Sequence, residues 1–179
     1  MYKIISSITF NHHSFVLLII SLGCAHTAVC MDPMAKYDNE NLKILVATHL
    51  LDDAVNEQNC LKAKQAILRK ANINYPMYPM QETFLHRAIW IANIDIVQLL
   101  IEHGANVNAK SSYQNTPLHW AVHIPPNLFR PAIVQLLVSN GADILAKNNK
   151  GLTPYDYTFQ DNNQEALTIF SQALRKDRN

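Results

Sequence analysis

Apolar residues along this chain recur at helical spacing in short blocks, and the blocks come in copies. Leu85, Ala88 and Ile89 share one helical face, as do Leu118, Ala121 and Val122 further on. A second kind of block follows each: Ile96, Val97, Leu99 and Leu100 form a stripe that Ile133, Val134, Leu136 and Leu137 reproduce. Thr116 stands where an N-cap is needed, because its hydroxyl can satisfy an orphaned backbone amide. Pro117 falls at the first helical position, where its missing donor costs nothing. Gly104 and Gly141 follow the second blocks, where a left-handed residue ends a helix at least cost. The pattern predicts pairs of short helices. Upstream, Leu50–Val55 and Ala66–Asn74 read as a degenerate pair, with Ala71-Asn-Ile-Asn74 matching Ala105-Asn-Val-Asn108. Downstream, Thr153 to Arg175 reads as a last pair whose many polar residues, Gln160 to Glu165 and Gln172 among them, suit a solvent-facing cap.

The copies are in register. Thr83-Phe-Leu-His-Arg-Ala88, Thr116-Pro-Leu-His-Trp-Ala121 and Thr153-Pro-Tyr-Asp-Tyr-Thr158 begin 33 and then 37 residues apart. Ile96–Asn108 and Ile133–Leu145 repeat one motif at a similar distance behind the first two. In both the T-P-L-H-x-A signature and the period, residues 41–179 resemble the ankyrin repeat. The resemblance implies an all-α ankyrin-repeat solenoid of about four helix-turn-helix repeats with short hairpin turns, dividing near residues 41–77, 78–110, 111–147 and 148–179. Four places depart from the family pattern. Phe84 replaces the proline, Tyr78-Pro-Met-Gln-Glu82 and Gln114 stand where a glycine-bearing turn is usual, and Ile124–Pro131 lengthens one inter-helix loop by four residues. The inserted loop reads either as a neutral elaboration or as a contact loop displaying Leu128 and Phe129, since a few extra residues cost under roughly 1 kcal/mol in closure entropy. Met77, Tyr78 and Met80 make the second hairpin tip unusually apolar.

Residues 1–30 do not fit the repeat domain. Phe15–Ala25 is an uncharged, largely apolar run of eleven residues, shorter than the roughly 20 that span a bilayer. Small residues at Ala25, Thr27, Ala28 and Cys30 suit cleavage after Ala28 or Cys30, so the segment reads as a secretory signal peptide and the protein as exported, to the medium or a periplasm. Residues 31–40 then form a linker. Three other readings stand beside this one: a membrane anchor over residues 15–30, lipidation at Cys24, and initiation at Met31.

Composition removes several classes of function. With 15 Lys+Arg against 14 Asp+Glu, the net charge is +1, and affinity built on phosphate neutralisation has little to work with, so no nucleic-acid partner is expected. Beyond the leader, Cys60 is the sole thiol and makes no intramolecular disulfide; it is expected to fill a helix junction. His86 and His119 occupy the signature position, where the resemblance implies hydrogen bonds between hairpins. His119 and His123 share a helix face at metal-binding spacing, but no cysteine pair or Glu-x-x pattern accompanies them, and no metal or cofactor is expected. Neither a Gly-x-Ser-x-Gly elbow nor a Gly-rich phosphate loop is present, so the chain is read as no enzyme.

What remains is binding. The resemblance implies a concave face of hairpin tips and first helices that takes a protein partner. Carried over by register, the contact residues are Met80, Glu82, Trp90 and Ile91, then Ser112, Tyr113, Asn115 and His123, then Asn149, Lys150 and Leu152. Trp90 reads equally as a binding anchor and as core; Tyr113 is expected to be exposed, Trp120 packed. A monomer is expected, with a self-associating structural domain of a larger envelope or secreted assembly as the alternative.

Overall fold

The structure is a computed structural model, and it describes residues 39–123 and 130–176. The expectations placed on residues 1–38, namely the leader, its cleavage site, lipidation at Cys24 and most of the linker, lie outside the described residues, as does Ile124–Phe129 of the inserted loop.

Eight helices occur among the described residues: α1 (Asn39–Asn56), α2 (Cys60–Leu68), α3 (Phe84–Trp90), α4 (Ile94–Glu102), α5 (Pro117–His123), α6 (Pro131–Ser139), α7 (Pro154–Gln160) and α8 (Gln164–Lys176). They pack as the pairs α1/α2, α3/α4, α5/α6 and α7/α8. The first helices then stack in one row, α1 on α3 on α5 on α7, and the second helices in another, α2 on α4 on α6 on α8. This is the all-α solenoid that the repeat pattern predicts. α1 differs in length, with 18 residues against seven in α3, α5 and α7, so the predicted Leu50–Val55 is only its later part and helix begins already at Asn39.

The core runs between the two rows. Leu51, Leu85 and Leu118 occupy one register position of the first helices and are fully buried. Ala54, Ala88, Ala121 and Thr158 occupy another, and their small side chains let successive first helices approach closely. The hydroxyl of Thr158 donates to the Tyr155 carbonyl, 2.6 Å away, so it is buried without an orphaned donor. From the second row come Ile96, Val97, Leu100, Ile133, Val134, Leu137, Ala166 and Phe170. Cys60 is half-buried and packs against this core at the start of α2.

Each turn has a reason in its residues. Asn59, Asn93 and Asn163 precede the second helices, and their side-chain oxygens accept the amides of Lys62 (3.0 Å), Ile96 (3.1 Å) and Ala166 (3.0 Å). α6 lacks this cap: Arg130 holds the position without a capping side-chain bond and Pro131 opens the helix instead. Behind α4 and α6, Gly104 and Gly141 take φ of 89° and 82°, and Lys70 holds the same place behind α2 at 66°. The hairpin tips repeat a second left-handed position, filled by Gly151 at 76°, Gln114 at 58° and Gln81 at 53°. Met77 corrects one expectation: it is not part of the apolar tip but is buried in the core, its N–H donating to the Glu82 carbonyl at 2.8 Å. The second hairpin is closed at its base by that bond, and only Tyr78 and Met80 of the three face solvent.

A left-handed glutamine is strained where glycine is not, by roughly 1–2 kcal/mol, offset in part by glycine's greater unfolded freedom. Gln114→Gly is therefore expected to stabilise the fold by about 0.5–1 kcal/mol. Chemical denaturation of the pure protein reads this directly, and a lower midpoint for the glycine variant would show that the Gln114 side chain contributes more than its backbone costs.

Candidate functional site

The hairpin tips are laced to one another. Ser112 N–H donates to the Met80 carbonyl (2.8 Å) and Asn149 N–H to the Tyr113 carbonyl (3.1 Å). Side chains repeat the link, Ser112 Oγ to Pro79 O at 3.3 Å and Asn149 Nδ2 to Ser112 O at 3.3 Å. On the other edge of the stack, Asn74 and Asn108 each clasp the following repeat with both ends of the amide. Asn108 donates to Gly141 O (2.9 Å) and accepts from Asp143 N (2.8 Å), and Asn74 treats Gly104 and Asn106 alike at 3.1 and 2.7 Å. The two edges fix the spacing at which side chains of successive repeats meet.

Beneath the tips lie the signature histidines. His86 Nδ1 accepts the Thr83 amide at 3.1 Å, and a backbone N–H can only donate, so the ring proton sits on Nε2. Nε2 then donates to the Asn115 carbonyl of the next repeat, 3.2 Å away. His119 repeats every contact: Thr116 N at 3.1 Å and Leu152 O at 3.1 Å. Burial holds both rings well below the ordinary histidine value, His86 down to about 4, despite the opposing pull of the carbonyl each one reaches. The third copy carries Asp156 instead. Its carboxylate accepts from Thr153 N (2.8 Å) and Oγ1 (2.7 Å), which lowers its pKa, but it has no second donor to offer a following turn.

Above the histidines, the last residue of each first helix meets the middle of the next. Trp90 stacks edge-on against Trp120 with ring centres 5.6 Å apart, and His123 lies against Tyr157 at 4.7 Å. The same step between α1 and α3 is polar, with Arg87 Nη1 donating to Asn56 Oδ1 (3.0 Å) and to the Asp52 carboxylate (2.6 Å). Trp90, Trp120, His123 and Tyr157 enclose, with Asn115 and His119, a cavity of about 160 Å³, large enough for one side chain. His123 Nδ1 lies 3.2 Å from Asp161 Oδ2 at its edge.

The residues singled out in the sequence divide by place. Trp90 is 53% exposed, Tyr113 58% and Met80 41%; Ser112, His123, Asn149 and Lys150 are exposed as well. Trp90 and His123 are brought to the aromatic step, and Tyr113, Ser112, Asn149 and Lys150 to adjacent tips. Ile91 and Leu152 are half-buried against the core, and Asn115 is engaged by His86 through its carbonyl and by Asn148 through its side chain (2.8 Å). Glu82 is partly buried, and desolvation raises its carboxyl above the usual range. Sequence reasoning missed Trp120 as a wall of the cavity. It is half-buried and packed against the core, as expected, yet one ring edge meets Trp90. The signal was present: Trp120 and Tyr157 share a register position, each facing the final residue of the preceding first helix.

A stack of short helix pairs with laced turns, its first helices meeting in a partly exposed aromatic step, is a repeat-built scaffold. A model of ankyrin repeats in three copies matches residues 9–148, and the chain belongs to the ankyrin repeat family, a family of non-enzymatic protein–protein interaction modules. It is similar to a fowlpox virus (strain NVSL) protein named as an ankyrin repeat protein, 45% identical over 49 residues, which are 27% of this chain and 11% of that one. It is also similar to the RelA-associated inhibitor of Mus musculus, 51% identical over 51 residues, 27% of this chain and 6% of that protein. The matched stretch is thus a small part of each relative. Among the described residues no group of His, Cys, Asp or Glu side chains is placed to hold a metal, and no helix is long and apolar enough to cross a membrane.

The buried histidines set a pH dependence. Their folded pKa values lie below the unfolded value, so the unfolded chain binds more protons as pH falls; the stability they contribute is complete above about 6.5 and is lost as pH falls through their folded values, about 4 for His86. Glu82, shifted upward, acts in the opposite sense over part of this acid range. His86 alone should remove on the order of 2 kcal/mol between pH 7.5 and pH 5. Denaturation midpoints across that interval check the sum, and NMR titration of the His86 ring checks the cause; a ring that titrates near 6.5 in the folded protein would refute it.

Proposed function

We propose that this chain is a non-enzymatic module that grips a protein partner across its concave face, with the Trp90–Trp120 step as the anchor and the Tyr113, Asn149 and Lys150 tips as the polar rim. The carrying observation is that Trp90, a large rigid side chain, is more than half exposed while held edge-on by Trp120 beside a cavity the size of one side chain. Such a residue offers area at little rotamer entropy. Family membership supports a protein partner, as does a relative whose name records association with another protein, RelA.

Among the described residues Trp90 and Tyr113 make no side-chain hydrogen bond across the stack, so their removal should spare the fold. The double variant Trp90→Ala, Tyr113→Ala is expected to lose partner binding by about 30-fold or more, as central aromatic hot spots do, while its melting temperature falls by only a few degrees. Quantitative affinity capture beside thermal melts reads both quantities. Capture that matches the unaltered protein's would move the binding face elsewhere, and a variant that unfolds would make both side chains structural.

A further inference from the structure

The two ends of the stack are finished differently. At the α7/α8 end the outward side of α8 carries Gln164, Glu165 and Gln172 in solvent. At the other end, the first half of α1 and the last turn of α2 leave a groove of about 530 Å³ whose walls are mostly apolar, among them Leu42, Val46, Leu50 and Leu68, with Glu40, Lys43, Arg69 and Lys70 also lining it. Leu68 is 71% exposed and Leu50 36%, and none of the four packs against the core. Every later helix pair has a preceding pair stacked upon it; no described element covers α1 and α2 on this side.

The chain carries a segment of matching chemistry. Phe15-Val-Leu-Leu-Ile-Ile-Ser-Leu-Gly-Cys24 aligns without a gap with Ile96–Ala105 of α4 and its turn, and with Ile133–Ala142 of α6. Val16, Leu18 and Gly23 are identical in both alignments, Ile20 matches Ile101 and Ser21 matches Ser139. Phe15, Val16, Leu18 and Ile19 fall at the positions where Ile96, Val97, Leu99 and Leu100 are buried. Leu17 and Leu22 stand where α4 has Gln98 and His103, and Ser21 where it has Glu102, which leaves the run uncharged and largely apolar and gives it its likeness to a leader. The family match also starts at residue 9, well ahead of α1. The chain between Cys24 and Asn39 reaches about 45 Å when extended, against roughly 27 Å for the whole length of α1, so the groove is within range.

We propose that the groove between α1 and α2 is the docking site of this chain's own segment Phe15–Cys24, which completes the stack at that end. The run that reads as a leader is, wherever it is retained, an internal partner of the repeats. The segment is uncharged and largely apolar, which suits the leucine and valine walls of the groove.

Hydrogen exchange of the full-length chain, read by mass spectrometry, tests this without reference to any binding partner. Amides of residues 15–24 are expected to exchange at least about 10-fold more slowly than an unstructured peptide. Leu50→Asp should return them to the free rate while α4 and α6 keep their protection. Leu68→Asp, at a more exposed site, serves as the second variant should Leu50→Asp disturb the fold. Free exchange of residues 15–24 in the unaltered chain overturns the proposal, as does protection that survives both substitutions. So does recovery of the native protein with its first residue beyond Cys24.

Discussion

Helices of seven residues are far below the length at which a helix holds itself together in water, and three of the four first helices here have that length. Their stability has to come from packing against the neighbouring repeat, and in α3 and α5 a neutral histidine adds a direct hydrogen bond to it. One ring nitrogen closes the helix's own first turn at Thr83 or Thr116, and the other reaches the carbonyl of the next repeat's hairpin. Local order and long-range order therefore share one side chain. The proton must lie on Nε2 for both bonds to exist, so the fold depends on a tautomer that burial protects and acid removes.

Exact register converts this into a surface. Because the amide clasps of Asn74 and Asn108 and the backbone bonds between tips recur from one repeat to the next, a residue at the end of one first helix always meets the middle of the following one. Arg87 finds Asn56, Trp90 finds Trp120, and His123 finds Tyr157. The backbone is the same at each step while the chemistry passes from charged to aromatic. Positions that face the stack hold Leu85, Leu118, Ala88 and Ala121; positions beside them are released to vary, which is how a common scaffold carries individual recognition.

Much of this was legible in the chain because the physics is local. Threonine before a helix, glycine behind one, and apolar residues at helical spacing each report on a few neighbouring bonds, and the copies reinforce one another. Two kinds of feature were not legible. Gln81 and Gln114 keep the left-handed backbone of the glycine they replace; the register marks the position, but nothing in a glutamine announces that the conformation survives the exchange. Met77 looked like part of an exposed tip because its neighbours Tyr78 and Met80 are exposed, whereas the bond from its N–H to Glu82 turns it inward. The site divided along the same line. Exposure of Tyr113 followed from its place on a tip, but Ile91, Asn115 and Leu152 sit at equally variable positions and are drawn into packing or bridging by partners one repeat away.

The walls of the aromatic cavity are themselves members of the bridging network. His119 lines it and donates to Leu152; Asn115 lines it while its carbonyl accepts from His86 and its side chain from Asn148; Tyr157 lines it and accepts from Asn148 at 3.2 Å. A group entering the cavity meets surfaces already fixed by the bonds that hold three repeats together, so little ordering remains to be done on binding. Occupancy must in turn favour the folded stack, since only there do these walls exist. On the proposed binding face, the walls of the cavity and the cohesion between repeats therefore rest on one set of hydrogen bonds, and conditions that protonate the histidines loosen those walls.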